Sequence, residues 1–585
     1  MMFSILFFLS SLLGYVHVFI YYGKQSRYIA WIQSYSLYIV LLFICSLLNK
    51  LEIGMTCVYI VGLILSADFY FKLIKKMYSQ EILKYTWVDL VFLVWFLTYV
   101  FLLSKHRLIA YDNFSHWGLI VKFLYTQGHL PNATNEIIRY NSYPPGTALF
   151  INYFIHHIGY SEGNFLVAQF SLISAAFYSL FSITRKFPWF ALMINFSLWG
   201  LWTLPKGSIG VSTLLVDLVM PLMSLSALIA LYENRKSSVK RILSVVLICS
   251  GLVLIKNSGV FFVLVPLLTL ISFINGTKNK CQTTFYSFIL SFLPLILWQK
   301  HIKNTFGHVK VAKHSMTLSH YIDVLKEKDW NIIRLISLNF LKETFNLHSG
   351  LTYIIMSVFL LYLFIRIKYS QEIKLKKAMG KLIVILISYY SMLLLMYFFS
   401  MPTDEALVLA SYHRYALSVI VLIYGMIGQY LIKWKEETSL FKKAKLKELF
   451  FIIATCILIV VSIPKEMYRL SHPTKEYSLD MPNILPKLTQ ESFNLNQKKY
   501  LLAHSQKAKI NNNYGNYYGS YYLFTQNVVT KNTFTKDLND LDKELKKYDY
   551  IVILDAGTPL INQIKMLYHV ELTPGIYPLD TLQLK

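Results

Sequence analysis

Asp112 stands in the stretch AYDNFSHWGLIVKFLYTQGHLPN, Ala110 to Asn132, a short way beyond an apolar run that ends near Ser104. A carboxylate there can serve as a general base, which must sit where substrate and water reach it. Taken alone, it also reads as an ordinary solvated aspartate. Next comes YNSYPPGTALF, Tyr140 to Phe150. Tyr143, Pro144 and Pro145 hold the chain extended, and an apolar helix is predicted to begin directly after them, because proline suits the first helical turn.

Three further residues carry charge at the edges of apolar runs. Lys256 lies in LVLIKNSGVFF. An ionisable group inside such a run is costly and marks function by default, although a lysine at a helix end can also snorkel. Asn257, Ser258 and Gly259 supply a helix break beside it. Arg414, in SYHRYALSVIV, opens a predicted span. Its donor fork suits a phosphate, and an interfacial anchor shared with Tyr412 and Tyr415 is the equal alternative. Asp217, in VSTLLVDLVMPLM, can orient Lys256 or an acceptor, or serve as a buried structural partner. His308, His314 and His320 recur every six residues. That spacing spreads them around a helix, so they read as loop residues and not as a zinc cluster. Asp404 and Glu405 read as a solvated turn. No nucleophile elbow, Walker loop or dinucleotide-binding glycine motif is present.

The elements that must position these residues are membrane helices. The 585 residues are 55% hydrophobic and 15% charged, with a mean hydropathy of +0.46. Apolar runs recur that are long enough to cross a hydrocarbon core of roughly 30 Å. They do not alternate polar and apolar residues as barrel strands would. Spans are predicted near 3–21, 28–48, 55–73, 87–104, 164–183, 188–203, 211–231, 283–299, 351–367, 382–400, 415–432 and 449–464. The run 242–274 is too long for one span and is predicted to hinge at Lys256 to Gly259. The fold expected is therefore an all-α polytopic membrane protein of about 12–14 spans, each near 20 residues.

The formal net charge of +26 comes from lysines and arginines in short loops between these runs. That is the pattern of cytoplasmic loops, not of a nucleic-acid surface. Lys24, Arg27, Lys75, Lys76, Arg185, Lys186, Arg235 and Lys236 fall in one alternating set. The opposite face then receives 105–163, 300–350 and the tail 466–585, all expected to be extracytoplasmic. Cys45, Cys57, Cys249, Cys281 and Cys456 lie within or beside apolar runs, so no disulfide framework is implied. The division expected is 1–104 as N-terminal spans, 105–163 as a catalytic loop, 164–465 as membrane core and 466–585 as a small α/β domain. In that domain KKYLLA and YDYIVILD read as strands and TKDLNDLDKELKKY as an amphipathic helix. NNNYGNYYGSYY, residues 511–522, reads as a loop.

The order of Asp112, Asn113, His116, Gly128, Pro131, Pro144 and Pro145, followed by a span ending in basic residues, resembles the first external loop of GT-C-fold glycosyltransferases. The likeness is to the protein O-mannosyltransferase and lipid A aminoarabinose transferase group, and it is strongest over 111–186. Asn113 stands where many members have glutamate, and Gly146 follows the prolines where leucine is usual. A role needing paired carboxylates, metal binding included, is therefore not carried over. The resemblance implies a catalytic role for Asp112. It implies donor-phosphate binding by Lys256 and by Arg414, which is followed by Tyr415 as in similar members. It also implies substrate positioning by His116, Tyr143, Pro144, Pro145 and Asp217.

One carboxylate suffices for such chemistry. Glycosidases need a second because an alkoxide leaving group must be protonated. A polyprenyl phosphate leaves as a stable anion. The expected activity is transfer of a sugar from a polyprenyl-phosphate donor to a cell-envelope glycan, teichoic acid or lipid acceptor on the outer face. The partners are thus the lipid-linked sugar, that acceptor and membrane lipid, with no nucleic acid. No cofactor is required by the residues, and a divalent metal stays open. The rival readings are a flippase or exporter of lipid-linked glycans, and a polysaccharide polymerase or ligase centred on 300–350.

Overall fold

The computed structural model describes residues 2–78, 85–201, 210–233, 238–274, 279–307, 318–368, 373–437, 481–508 and 510–583. The predicted span 449–464, with Cys456, and the residues His308 and His314 lie outside them. Contacts divide the chain into two units, Met1–His106 with Tyr140–Leu470 and Arg107–Arg139 with Ser471–Lys585. The stretch 105–163, read above as one loop, is thus shared between them.

The first unit is helical, as a chain must be where no water can satisfy the backbone. Among the described residues, eight helices are long and apolar enough to cross a membrane: Phe3–Tyr22, Arg27–Leu47, Leu51–Ile74, Trp87–Ser104, Glu162–Ile183, Lys280–Phe306, Lys377–Phe399 and Tyr412–Glu436. Shorter apolar helices are Pro188–Leu201, Val219–Glu233, Gly259–Ile274 and Gly350–Leu360. The protein is a multi-pass membrane protein. Small residues let its first helices approach closely. A Cβ on Gly14 would meet the Gly62 carbonyl at 2.1 Å, and one on Gly62 would meet Ser11 Oγ at 2.0 Å.

The expected hinge in 242–274 is present. Helix Ser238–Leu252 stops and Gly259–Ile274 begins, with successive turns between them. Two other boundaries differ from expectation. The run at 211–231 does not become helical until Val219, so Asp217 sits in the turns ahead of that helix. The region 300–350 is largely structured, because Lys280–Phe306 runs past its expected end and helices Leu318–Lys326 and Trp330–Thr344 follow.

Alternate helix ends meet. The Ser26 amide donates to Glu233 Oε1 at 3.1 Å, and Arg27 pairs with Asp89 at 2.7 Å. Glu436 accepts the amides of Arg185, Lys186 and Phe187 at 3.0, 2.9 and 3.1 Å. The segments carrying Ser142, Asp217, Lys256 and Arg414 meet at the other ends of these helices.

The second unit is an α/β fold. Its sheet has strands β1 (Tyr500–Ala503), β2 (Val528–Lys531), β3 (Tyr550–Ile553) and β4 (Gly575–Pro578), in the order β2-β1-β3-β4. β1 is parallel to β2 and β3, and β4 is antiparallel to β3. KKYLLA and YDYIVILD do supply β1 and β3. Strand alternation sends Leu501, Ala503, Ile551 and Ile553 into a core with Leu541, Leu545, Leu560 and Ile564. Helix Leu538–Leu545 is the expected amphipathic one, capped by Asp537, which accepts from the Asp540 amide.

The opposite sheet face corrects one expectation. NNNYGNYYGSYY is not a loop but helix Asn512–Leu523, capped by Asn511. Its glycines are there for proximity. A Cβ on Gly515 would come to 2.6 Å of Thr530 Oγ1, and one on Gly519 to 2.8 Å of Val528 Cγ1. Glycine at i and i+4 makes a smooth stripe that seats the helix on β2, while the tyrosines fill other sides.

Candidate functional site

In the membrane unit, two sequence motifs dock on one another. The turn before helix Gly146–Ile158 lies against the break at Lys256. The Gly146 amide donates to the Leu254 carbonyl at 2.7 Å. The Ser142 carbonyl accepts from Asn257 Nδ2 at 3.4 Å and from Trp298 Nε1 at 3.1 Å. Glycine is required at 146, because a Cβ there would stand 2.5 Å from the Leu254 oxygen. Leucine, usual at this place in the resembling group, could not fit. Pro144 and Pro145 are buried in the turn, and Tyr143 stacks on Tyr140 with ring centroids 5.7 Å apart.

Beside this turn lies a buried charge cluster. Asp217 has a side chain 1% exposed. Lys256 Nζ stands 3.4 Å from Asp217 Oδ1, and Arg414 Nε 3.5 Å from Asp217 Oδ2. Both separations exceed the roughly 2.7–2.9 Å of a tight charged hydrogen bond, so these are loose charge contacts. The Tyr415 ring borders both cations, 4.9 Å from Lys256 Nζ and 5.1 Å from the Arg414 guanidinium carbon. Tyr389 supports it, donating to the Tyr415 carbonyl at 3.0 Å while packing on Phe261.

Local folding explains why the cluster sits where it does. Helix Val219–Glu233 begins just after Asp217, helix Gly259–Ile274 just after Lys256, and Arg414 lies in the first turn of Tyr412–Glu437. The positive ends of these helix dipoles therefore gather with two cations around one carboxylate. The formal sum of the three side chains is one positive charge. Such a place favours an incoming anion, the more so because it is dry.

The second unit holds Asp112 and His116. Asp112 is part-exposed and precedes a single π-helical turn, Asn113–Trp117, that runs into helix Gly118–Gln127. Wide turns of this kind recur at functional positions. His116 and Asn113 are buried, whereas Asp112 is not. The turn is held from below by the C-terminal domain. Phe114, fully buried, packs on Tyr514, Tyr518 and Tyr521 with centroids at 5.8, 4.8 and 5.3 Å. The Tyr514 hydroxyl donates to the Ile109 carbonyl at 3.1 Å. Buried Lys122 reaches Glu491 at 2.7 Å and the Tyr521 carbonyl at 2.8 Å. Gly128 takes the left-handed conformation that ends the helix, and buried Pro131 follows.

The structure thus joins Tyr143, Pro144 and Pro145 to the Lys256 break, and Asp217 to Lys256 and Arg414. It places Asp112 and His116 in the second unit. Sequence reasoning missed Ser142, Trp298, Tyr389 and the tyrosines around Phe114. The repeated tyrosines at 514, 518, 521 and 522 carried a helical period, masked by the asparagines and glycines between them. Asp404 stands exposed in the short helix Thr403–Leu407. Among the described residues no group of three His, Cys, Asp or Glu side chains is placed to hold a metal ion. The chain matches no protein-family model and no curated protein.

Proposed function

We propose that the chain is an integral membrane glycosyltransferase that moves a sugar from a polyprenyl-phosphate donor to a cell-envelope glycan, teichoic acid or lipid acceptor on the outer face. The observation that carries the reading is the pair of cations, Lys256 and Arg414, bracketing buried Asp217 where apolar helices begin. A lipid phosphate keeps its tail in the bilayer and its head at the interface. It needs apolar helix surface beside fixed positive charge, and the cluster supplies both.

In this reading an acceptor hydroxyl oxygen attacks the anomeric carbon of the donor sugar. The bond from that carbon to the phosphate oxygen breaks, and the phosphate leaves as an anion held by Lys256 and Arg414. Asp112, a role carried over from the resemblance, takes the acceptor's proton. Asp217 keeps the two cations apart and in place before the donor arrives. Charge stabilised in a dry, prearranged site lowers the barrier, so the cations act on turnover as well as on binding.

The experiment is transfer from a synthetic polyprenyl-phosphate hexose by the purified chain, with envelope extract as acceptor. Loss of lipid-bound label into a water-soluble or larger lipid product supports the reading. Movement of the intact donor across vesicles without cleavage would support a flippase in its place.

A further inference from the structure

Resting on the glycosyl-transfer reading, we infer that Tyr111, Arg139, Asn513 and Tyr517 form a saccharide-binding subsite that takes a neutral pyranose, the acceptor end of the reaction. Helix Asn512–Leu523 buries Tyr514, Tyr518 and Tyr521 on one side. Its other side presents Asn513, exposed, and Tyr517, part-exposed, one helical turn apart. The Tyr111 ring meets Tyr517 edge-on, with centroids 5.0 Å apart and planes at 77°. The Arg139 guanidinium lies 5.1 Å from the Tyr517 centroid, and Arg139 is exposed.

This arrangement is fixed before any ligand arrives. Tyr111 and Tyr517 are carried by backbones locked together through Phe114 and the Tyr514–Ile109 hydrogen bond. The segment leading to Arg139 is tied down by Gln526, which donates to Glu136 at 3.0 Å. Rigid rings lose little freedom on binding, which is why tyrosine serves adaptable recognition surfaces well.

The chemistry suits a sugar ring. A pyranose with equatorial hydroxyls offers flat C–H faces to an aromatic ring and a rim of hydroxyls to polar groups. Tyr111 and Tyr517, both part-exposed, meet in a corner at nearly a right angle, with Arg139 over one face of Tyr517. Arg139 offers donors, and the Asn513 amide offers donor and acceptor. Glu136 precedes Arg139 by three residues, so the segment carries no net charge and suits a neutral saccharide over a polyanion. A ring seated on Tyr111 brings its hydroxyl rim toward the backbone that carries the proposed base.

The test is binding, read without turnover, to the full chain in lipid nanodiscs, since maltoside detergents carry sugar of their own. Saturation-transfer NMR with cellotriose, maltotriose and inorganic triphosphate separates ring stacking from simple anion binding. Cellotriose or maltotriose should bind saturably, and triphosphate should not displace it. Tyr517→Ala should weaken binding roughly tenfold, the loss typical of removing an aromatic anchor. Tyr517→Phe should keep it, and Arg139→Gln should weaken it less than Tyr517→Ala. Absence of saturable binding by both trisaccharides, or equal binding by wild type, Tyr517→Ala and Arg139→Gln, overturns the inference. If sugar binding follows this pattern but no transfer is found, only the proposed function fails. Transfer that persists with no binding at Tyr517 removes the subsite alone.

Discussion

The Gly146 amide donates to the Leu254 carbonyl at 2.7 Å, and with the Asn257 side chain on the Ser142 carbonyl this bond seats the YPPG turn on the break that carries Lys256. Gly146→Ala should push the two segments apart, because the added carbon would stand 2.5 Å from the Leu254 oxygen. Overpacking of this kind costs about 1–3 kcal/mol. Thermal unfolding in detergent should show a lowered midpoint, and transfer should fall with it. A variant as stable and active as wild type would mean the contact is dispensable.

The charge cluster separates stability from activity. Asp217→Asn leaves two buried cations without their counter-charge, a loss worth about 3–5 kcal/mol when one partner of a buried pair is removed. Lys256→Met leaves a neutral Asp217–Arg414 pair and keeps the apolar stem, so it should be milder. Denaturant titration is expected to rank Asp217→Asn below Lys256→Met in stability. Transfer assays are expected to find Lys256→Met impaired although folded. Equal stability of the two variants contradicts the counter-charge role.

Arg414→Lys tests the geometry of phosphate holding. Lysine keeps the charge but replaces a planar donor fork with a point charge. Turnover should drop while folding survives. Unchanged kcat and KM would return Arg414 to the role of an interfacial anchor.

Much of this architecture can be read in the sequence. Apolar runs place the helices, KNSG marks the break at Lys256, and basic loops give the alternation of ends. The pairing of Asp217 with Lys256 is legible only as one of several readings and that with Arg414 not at all, because both join helix starts far apart in the chain. The late start of the helix after Asp217 and the helix made from NNNYGNYYGSYY are likewise set by tertiary contact. Glycines that signal a loop locally become the close-packed face of a helix once β2 lies beneath them. Asp112 is legible only as a type of residue beside a span. Its π-turn and the tyrosines that hold Phe114 depend on a domain that begins hundreds of residues later.

Phe114 is the anchor of that arrangement. Phe114→Ala removes a ring enclosed by Tyr514, Tyr518 and Tyr521 and should cost about 3–5 kcal/mol. Limited proteolysis should then cut within 107–139 at protease levels that spare wild type. Equal resistance would show that the segment is held by other contacts.

The orientation expected from loop charge is tested by labelling. In a cysteine-free background, Thr134→Cys and Lys543→Cys should label with a membrane-impermeant thiol reagent in whole cells, and Lys75→Cys should not. All three sites are exposed or at loop positions. The reverse labelling pattern would invert the topology and place Asp112 on the cytoplasmic face.

The proposed role of Asp112 as the base of a sugar transfer is measured by Asp112→Asn. The substitution keeps the size and one acceptor oxygen, and it removes the negative charge and the ability to take a proton. A positioned general base contributes about 10²–10⁴ in rate. Steady-state transfer from a polyprenyl-phosphate hexose should fall by that order in kcat, with the variant inserted, folded and still binding donor. Transfer by Asp112→Asn at the wild-type rate would contradict the account.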